Sequence, residues 1–205
     1  MKNRPLLFLF VSIFLALTSG IIAAQDMTYT EAPMLAEQVQ AGELPPVEER
    51  LPEEPFIIDG EAIGEYGGTW RRVFPENGAW STLLTSFAHE PLVKFSLDLS
   101  TVVPNVAERW EVKDNATEYT FYLRPGMRWS DGELFTTDDV LFHWEMSLNE
   151  EWNPSGDRPF RASDIVIIDD YTFTYVFDQP NGIFLSQLAH PDGNFVTQSP
   201  RHYLG

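Results

Sequence analysis

The side chains able to do chemistry in this 205-residue chain are few and widely spaced. No cysteine is present, which removes thiolate ligands, a thiol nucleophile and a disulfide framework together. Four histidines, His89, His143, His190 and His202, form no close pair along the sequence. His143 shares a helical face with Asp139 and Ser147, a spacing that reads as a solvated polar stripe rather than a metal site. No zinc-protease helix, calcium loop, nucleophile elbow or phosphate-cradling glycine loop occurs. Asp131, Asp138 and Asp139 are accounted for by turn and cap positions. Asn115-Ala116-Thr117 has the form of a glycan acceptor but falls in what reads as a tight turn. The expectation is therefore no enzyme, no metal and no cofactor.

For recognition the six tryptophans stand out. Trp110, Trp129 and Trp144 fall in strongly patterned segments and are expected in the core. Trp70, Trp80 and Trp152 fall at element ends or in loops, where core or partial burial is the first reading and stacking of the ring on a sugar or a peptide side chain the second. In open α/β sheets ligands bind beyond the carboxyl ends of strands. The loop Pro75-Glu76-Asn77-Gly78 leaves such an end and delivers Trp80, so it is the first cleft candidate. Residues 190–194, between a helix and a strand, are the second. Glu76, Asn77 and Asn194 would supply orienting polar groups, with Trp80 and Trp152 as apolar walls.

The elements that must position these groups are legible in the periodicity. Trp110 and Val112, then Tyr119, Phe121 and Leu123, alternate with polar neighbours around a polar turn, the pattern of a hairpin with one buried face. Arg124-Pro125-Gly126 breaks the strand. Thr136 with Asp139 three residues on starts a helix whose apolar face is Val140, Leu141, Trp144 and Leu148. Upstream, the spacing predicts a short helix within 30–44, a strand at 56–58, a strand over 67–74 and an amphipathic helix from Trp80 to Ala88. A strand at 92–95 and a turn at 96–100 follow, and Val102-Val103 leads into the central hairpin. Downstream it predicts a second hairpin over 165–177, a short helix over 183–188, a strand over 194–197 and a helix opening at Ser199-Pro200. Residues 44–55 are rich in Pro and Glu and read as a solvated acidic connection, with an ordered arm as the alternative.

Composition narrows the partners. Asp and Glu number 31 against 13 Lys and Arg, a net charge of −18. That excess disfavours nucleic acids and anionic membrane surfaces. Lys2 and Arg4 precede an apolar run over 6–17 and end in Ala23-Ala24, the form of a cleaved secretory leader rather than a spanning helix. No Cys follows the run, so a lipid anchor is not expected, and the reading is a free periplasmic, monomeric protein.

The order Ala107-Glu108-Arg109-Trp110-Glu111-Val112, Tyr119-Thr120-Phe121, Leu123-Arg124-Pro125-Gly126, Trp129-Ser130-Asp131-Gly132 and Thr137-Asp138-Asp139-Val140 resembles a segment of the family 5 extracellular solute-binding proteins. These are the receptors of ABC importers for peptides, nickel and, in some members, oligosaccharides. The resemblance implies an α+β to α/β architecture, the incomplete first lobe of a two-lobed periplasmic-binding-protein-like fold behind a signal peptide. The division expected is 1–24 signal peptide, 25–60 helix plus acidic arm, and 61–205 partial N-terminal lobe, as in a fragment or truncated chain. It implies capture of a peptide-like solute, with oligosaccharide as the alternative, for delivery to an ABC permease. A secreted hydrolase, a chaperone-like module and a fragment without binding activity are the competing readings.

Overall fold

The computed structural model describes residues 29–58, 64–69, 71, 90–113, 115–155, 159–190 and 195–205. The expected leader at 1–24, the helix from Trp80 to Ala88 and half of the strand over 67–74 lie outside these residues, and 67–69 and 71 form no strand. Also outside them are Trp70, His89 and the cleft candidates Glu76, Asn77, Trp80 and Asn194.

Two antiparallel sheets carry the fold. The smaller pairs β1 (Val93–Phe95) with β2 (Val102–Pro104). The larger contains β3 (Ala107–Val112), β4 (Glu118–Leu123), β5 (Asp164–Asp169) and β6 (Thr172–Val176), in the order β3-β4-β6-β5. All pairings among the described residues are antiparallel. Among the described residues the sheets are built from hairpins, with helices packed on them, and the loops chosen for the cleft lie outside these residues.

The register explains the core. Phe121 faces Trp110 on one side and Phe173 on the other, and Tyr119 faces Val112 and Tyr175. Tyr119, Phe121, Leu123, Phe173 and Tyr175 are buried on this face. Phe184 of helix α4 (Phe184–Ala189) sits over them, its ring centroid 4.9 Å from Tyr119 and 5.3 Å from Tyr175. Trp144 of helix α3 (Thr137–Leu148) packs edge-on to Tyr175 at 6.4 Å. Each such ring contributes roughly 1.5–3 kcal/mol by leaving water. On the opposite face Thr120 and Thr174 share a 2.8 Å hydroxyl contact across the two central strands. Among the described residues β3 is an edge strand, and on it Trp110 is only half-buried and Val112 is 42% exposed, where the alternation predicts both inside.

Helix α3 begins with the expected capping box, Thr136 as cap and Asp139 three residues on. Its first turn is bolted to the β5–β6 turn, because Thr137 donates its N–H to Asp170 O (2.9 Å) and its hydroxyl to Asp169 O (2.7 Å). Asp139 does more than cap. Its buried carboxylate accepts from Thr136 N (3.1 Å) and Trp129 Nε1 (3.2 Å) through Oδ2, and from Arg201 N (2.9 Å) through Oδ1. It thereby joins the 126–136 turns, α3 and the last helix α5 (Arg201–Leu204).

The acidic connection is an ordered arm rather than a solvated linker. It contains α2 (Val47–Arg50), and α1 (Ala36–Gln40), the short helix expected within 30–44, precedes it and is ended by Gly42 at φ 72°. Arg50 donates to both oxygens of Glu31 at 2.5 and 2.6 Å. Further on, Glu53 N donates to Pro125 O (3.1 Å) and Arg124 Nη1 donates to Glu54 O (2.7 Å). Residues 56–58, where a strand is expected, form no regular element and pair with no described strand. The strand expected over 194–197 is instead a 3-10 turn, Phe195–Thr197.

Among the described residues Tyr175 Oη is a fully buried side-chain oxygen with no hydrogen-bond partner, so its desolvation is uncompensated. Tyr175→Phe should raise stability in urea melts by about 1 kcal/mol, because the ring stays and only the orphan hydroxyl goes. Asp139→Asn should lower it by about 3 kcal/mol, since one acceptor becomes an amide facing backbone and indole donors. Trp110→Ala should cost no more than that, because the ring packs against the core but is only partly buried.

Candidate functional site

Of the residues selected from sequence for a cleft, Trp152 is the one the described structure places. It follows the end of α3 on a loop pinned by Asn153 Nδ2 to Ser147 O (2.7 Å), Asn153 N to Asn149 O (2.8 Å) and Glu151 N to Asn149 Oδ1 (2.8 Å). The indole is 61% exposed, a flat apolar face held on a fixed backbone. Trp129 and Trp144 are packed against the core, as expected.

Several carboxylates and His202 gather around α5. Among the described residues there is no group of three acids or histidines able to hold a metal ion. Arg201 reaches Asp138 (3.2 Å) and Glu145 (3.4 Å) and lies over the ring of Phe142. His202 Nε2 lies 2.7 Å from Asp131 Oδ2, beside Trp129. His143 does not face solvent as its helical spacing suggests: its Nδ1 is 3.2 Å from the buried Ser199 hydroxyl. Burial there pulls the imidazole down to about 4, so it is neutral near pH 7. Asn115 closes its own turn by accepting from the Thr117 hydroxyl at 2.7 Å.

Two surface depressions offer room for a ligand. One is a groove between the arm and the 126–132 turns, with Leu35, Leu51 and Trp129 among its apolar lining and Glu48, Glu49 and Asp131 among its acids. The other, about 750 Å³, opens where β6 runs into α4 and is lined by Phe160, Arg161, Phe177, Asp178, Asn181 and Gln187 among others. Sequence reasoning selected neither. Exposed polar residues in irregular loops carry no periodicity, and the unusual backbone at Phe160 and Arg161 has no glycine to mark it.

The hairpin β1–β2 carries a different surface. Asp98 accepts from the Ser96 hydroxyl (2.6 Å), Ser100 N (3.1 Å) and the Ser100 hydroxyl (2.8 Å), which lowers its carboxyl to about 2. The loop so fixed holds Leu97 and Leu99 at 82% and 74% exposure.

Residues 101–202 match the family described as bacterial extracellular solute-binding proteins, family 5 middle. The periplasmic alpha-galactoside-binding protein of Rhizobium meliloti (strain 1021) is 32% identical over 179 residues, covering 74% of this chain and 26% of that protein. A solved oligopeptide-binding protein OppA superposes with a TM-score of 0.76 at 37% identity, over 87% of this chain and 28% of its own. The periplasmic binding protein MelB from Agrobacterium fabrum C58, solved with stachyose, superposes with a TM-score of 0.59 at 27% identity, over 85% of this chain and 33% of its own. The chain thus spans roughly a quarter to a third of the length of these relatives, and what it shares with them is part of a periplasmic-binding-protein-like fold. No described helix is long and apolar enough to cross a membrane.

The seat of α5 should depend on pH. The hydrogen bond between His202 and Asp131 raises the histidine above 6.5 and lowers the aspartate below 3.8, and Glu133 and Asp139 add to the histidine's rise. The histidine's share is fully present below pH 6.5 and fades as pH climbs through its raised value. The aspartate's share is present above pH 3.8 and fades as pH falls through its lowered value. Hydrogen exchange at Leu204 N and Gly205 N, which donate to Pro200 O and Arg201 O, should be most protected relative to an Asp131→Asn variant near pH 5–6. Equal protection in both proteins at that pH would remove the pair from the docking of α5.

Proposed function

The chain belongs to the bacterial extracellular solute-binding proteins of family 5, and from that premise we propose that it captures an oligosaccharide for an ABC permease. Members of this family are binding proteins, not enzymes, so what has to be explained is affinity. Capture needs only a difference in affinity between an open and a closed arrangement of lobes. In this reading residues 1–24 are an export signal, 25–60 an arm, and 61–205 part of the first lobe.

The observation that carries the sugar is agreement between two relatives along most of the chain. The alpha-galactoside-binding protein matches 74% of it, and the protein solved with stachyose matches 85%, so both matches exceed residues 101–202. The exposed face of Trp152 suits the same cargo, since a planar aromatic stacks on the apolar face of a pyranose. Glu76, Asn77, Trp80 and Asn194 are proposed as the remaining contacts of this lobe. An oligopeptide is the second reading, favoured by the higher identity and TM-score of the oligopeptide-binding structure.

Calorimetry with stachyose and with a tetrapeptide separates the two. Sites of this kind bury 70–90% of a ligand's surface, and a chain of this span supplies one wall. The 205-residue chain should bind stachyose no tighter than about millimolar. A polypeptide extended to the relatives' length should reach about micromolar, a gain of ~4 kcal/mol. Trp80→Ala and Trp152→Ala should each weaken it. Micromolar binding of the tetrapeptide with none of the sugar would move the cargo to peptide, and micromolar binding by the 205 residues alone would sink the one-wall reading.

A further inference from the structure

The depression at the end of β6 is lined by two opposite charges that do not meet. Arg161 and Asp178 both face it, and neither has an ion-pair or hydrogen-bond partner among the described residues through its charged group. Its floor is aromatic: Phe177 is 5% exposed, and Phe160 packs edge-on to Phe184 with centroids 5.3 Å apart. Asn181 and Gln187, both half-buried, add amides that bond to each other at 3.3 Å.

The walls are fixed before anything binds. Tyr119 Oη donates to Asn181 O (2.6 Å), Asn181 N to Ala116 O (2.9 Å) and Phe177 N to Thr117 O (2.9 Å), tying the loop after β6 to the β3–β4 turn. On the other side Phe160 and Arg161 are consecutive non-glycine residues in the left-handed region, at φ 53° and 60°. That conformation is unfavourable for side chains with a Cβ and persists only where surrounding contacts hold it. Here it turns Phe160 onto Phe184 while leaving Arg161 at the rim, exposed. A pre-formed recess loses little ordering entropy on binding.

We infer that this recess is an accessory site for a zwitterionic α-amino acid with an apolar side chain. The carboxylate goes to the Arg161 guanidinium, a planar donor that grips carboxylates in pairs of hydrogen bonds. The ammonium goes to the Asp178 carboxylate, and the side chain lies on Phe160 and Phe177. A neutral sugar would use the amides and the aromatic floor but would leave two separated opposite charges without a role. The inference does not depend on the cargo of the whole receptor.

L-Leucine titrated into the 205-residue chain, followed by the side-chain amide signals of Asn181 and Gln187, tests it. Saturable shifts with a Kd of about a millimolar are expected. Arg161→Gln and Asp178→Asn should each weaken binding about tenfold, and Arg161→Lys should lose less than Arg161→Gln. L-Leucinamide, without a carboxylate, should bind weakly and be indifferent to Arg161→Gln; N-acetyl-L-leucine, without an ammonium, should be indifferent to Asp178→Asn. Both residues are exposed, so circular dichroism should be unchanged by either substitution. Absence of shifts, leucine shifts untouched by both substitutions, or equal shifts with stachyose would each overturn the assignment.

Discussion

A carboxylate taken out of water must find donors, and here that demand falls on Asp139. It is 4% exposed and sits between its own helix cap, the turn just before it and the distant end of the chain. Its two oxygens take one donor from its own helix cap, one from the Trp129 indole and one from the backbone at Arg201. Each donor would otherwise be unsatisfied in a place where water has little access, so loss of the acceptor exposes three deficits rather than one. Around this point the rest closes: Arg201 reaches Asp138 and Glu145, His202 reaches Asp131, and Thr137 secures the helix to the sheet. The bond to Arg201 spans 62 positions, which makes the last helix part of the same folding unit as the central hairpin.

The sheet supplies the surface on which that arrangement stands. β4 and β6 are central and bring Phe121 and Phe173 together with ring centroids 5.5 Å apart. The edges are treated differently. β3 shows charge outward, with Arg109 bonded to Glu111 and resting on the Tyr122 ring, while β5 starts and ends on aspartate. Charged edges discourage further strand pairing. This suits a partial fold whose apolar interior faces its own helices.

What could be read from sequence follows from which forces are local. The alternation in β4 and the box at Thr136 and Asp139 are short-range patterns, and both hairpins and the capped helix appear where the residues place them. Val112 was misplaced because alternation says which face a residue takes, not whether its strand is an edge. His143 was misplaced because helical spacing says nothing about Ser199, which arrives from 56 positions away. The arm is legible only as an alternative for a related reason: on the arm's side its hold uses backbone atoms of Glu53 and Glu54, which meet Pro125 O and the Arg124 guanidinium from seventy or more residues away. The recess beside β6 depends on loop conformation alone. Of the cleft residues chosen by type and topology, Trp152 is the one whose surroundings can be described, on a pinned loop with its ring in water.

Gly126 ties the arm to the turn in a way that has a consequence for sequence change. At φ +80° it occupies a conformation that side chains with a Cβ resist, and a Cβ built there would meet Glu53 N at 3.3 Å and Pro52 Cα at 3.4 Å. A larger residue at 126 thus meets two objections that cannot be relieved separately: reshaping the turn moves Pro125 O away from Glu53, and lifting the arm leaves the strained dihedral in place. Substitutions in residues 52–54 and at 126 are therefore not independent draws. Grafting the arm onto a chain without glycine at this position would require rebuilding the turn as well, so the two travel as one module although more than seventy residues separate them.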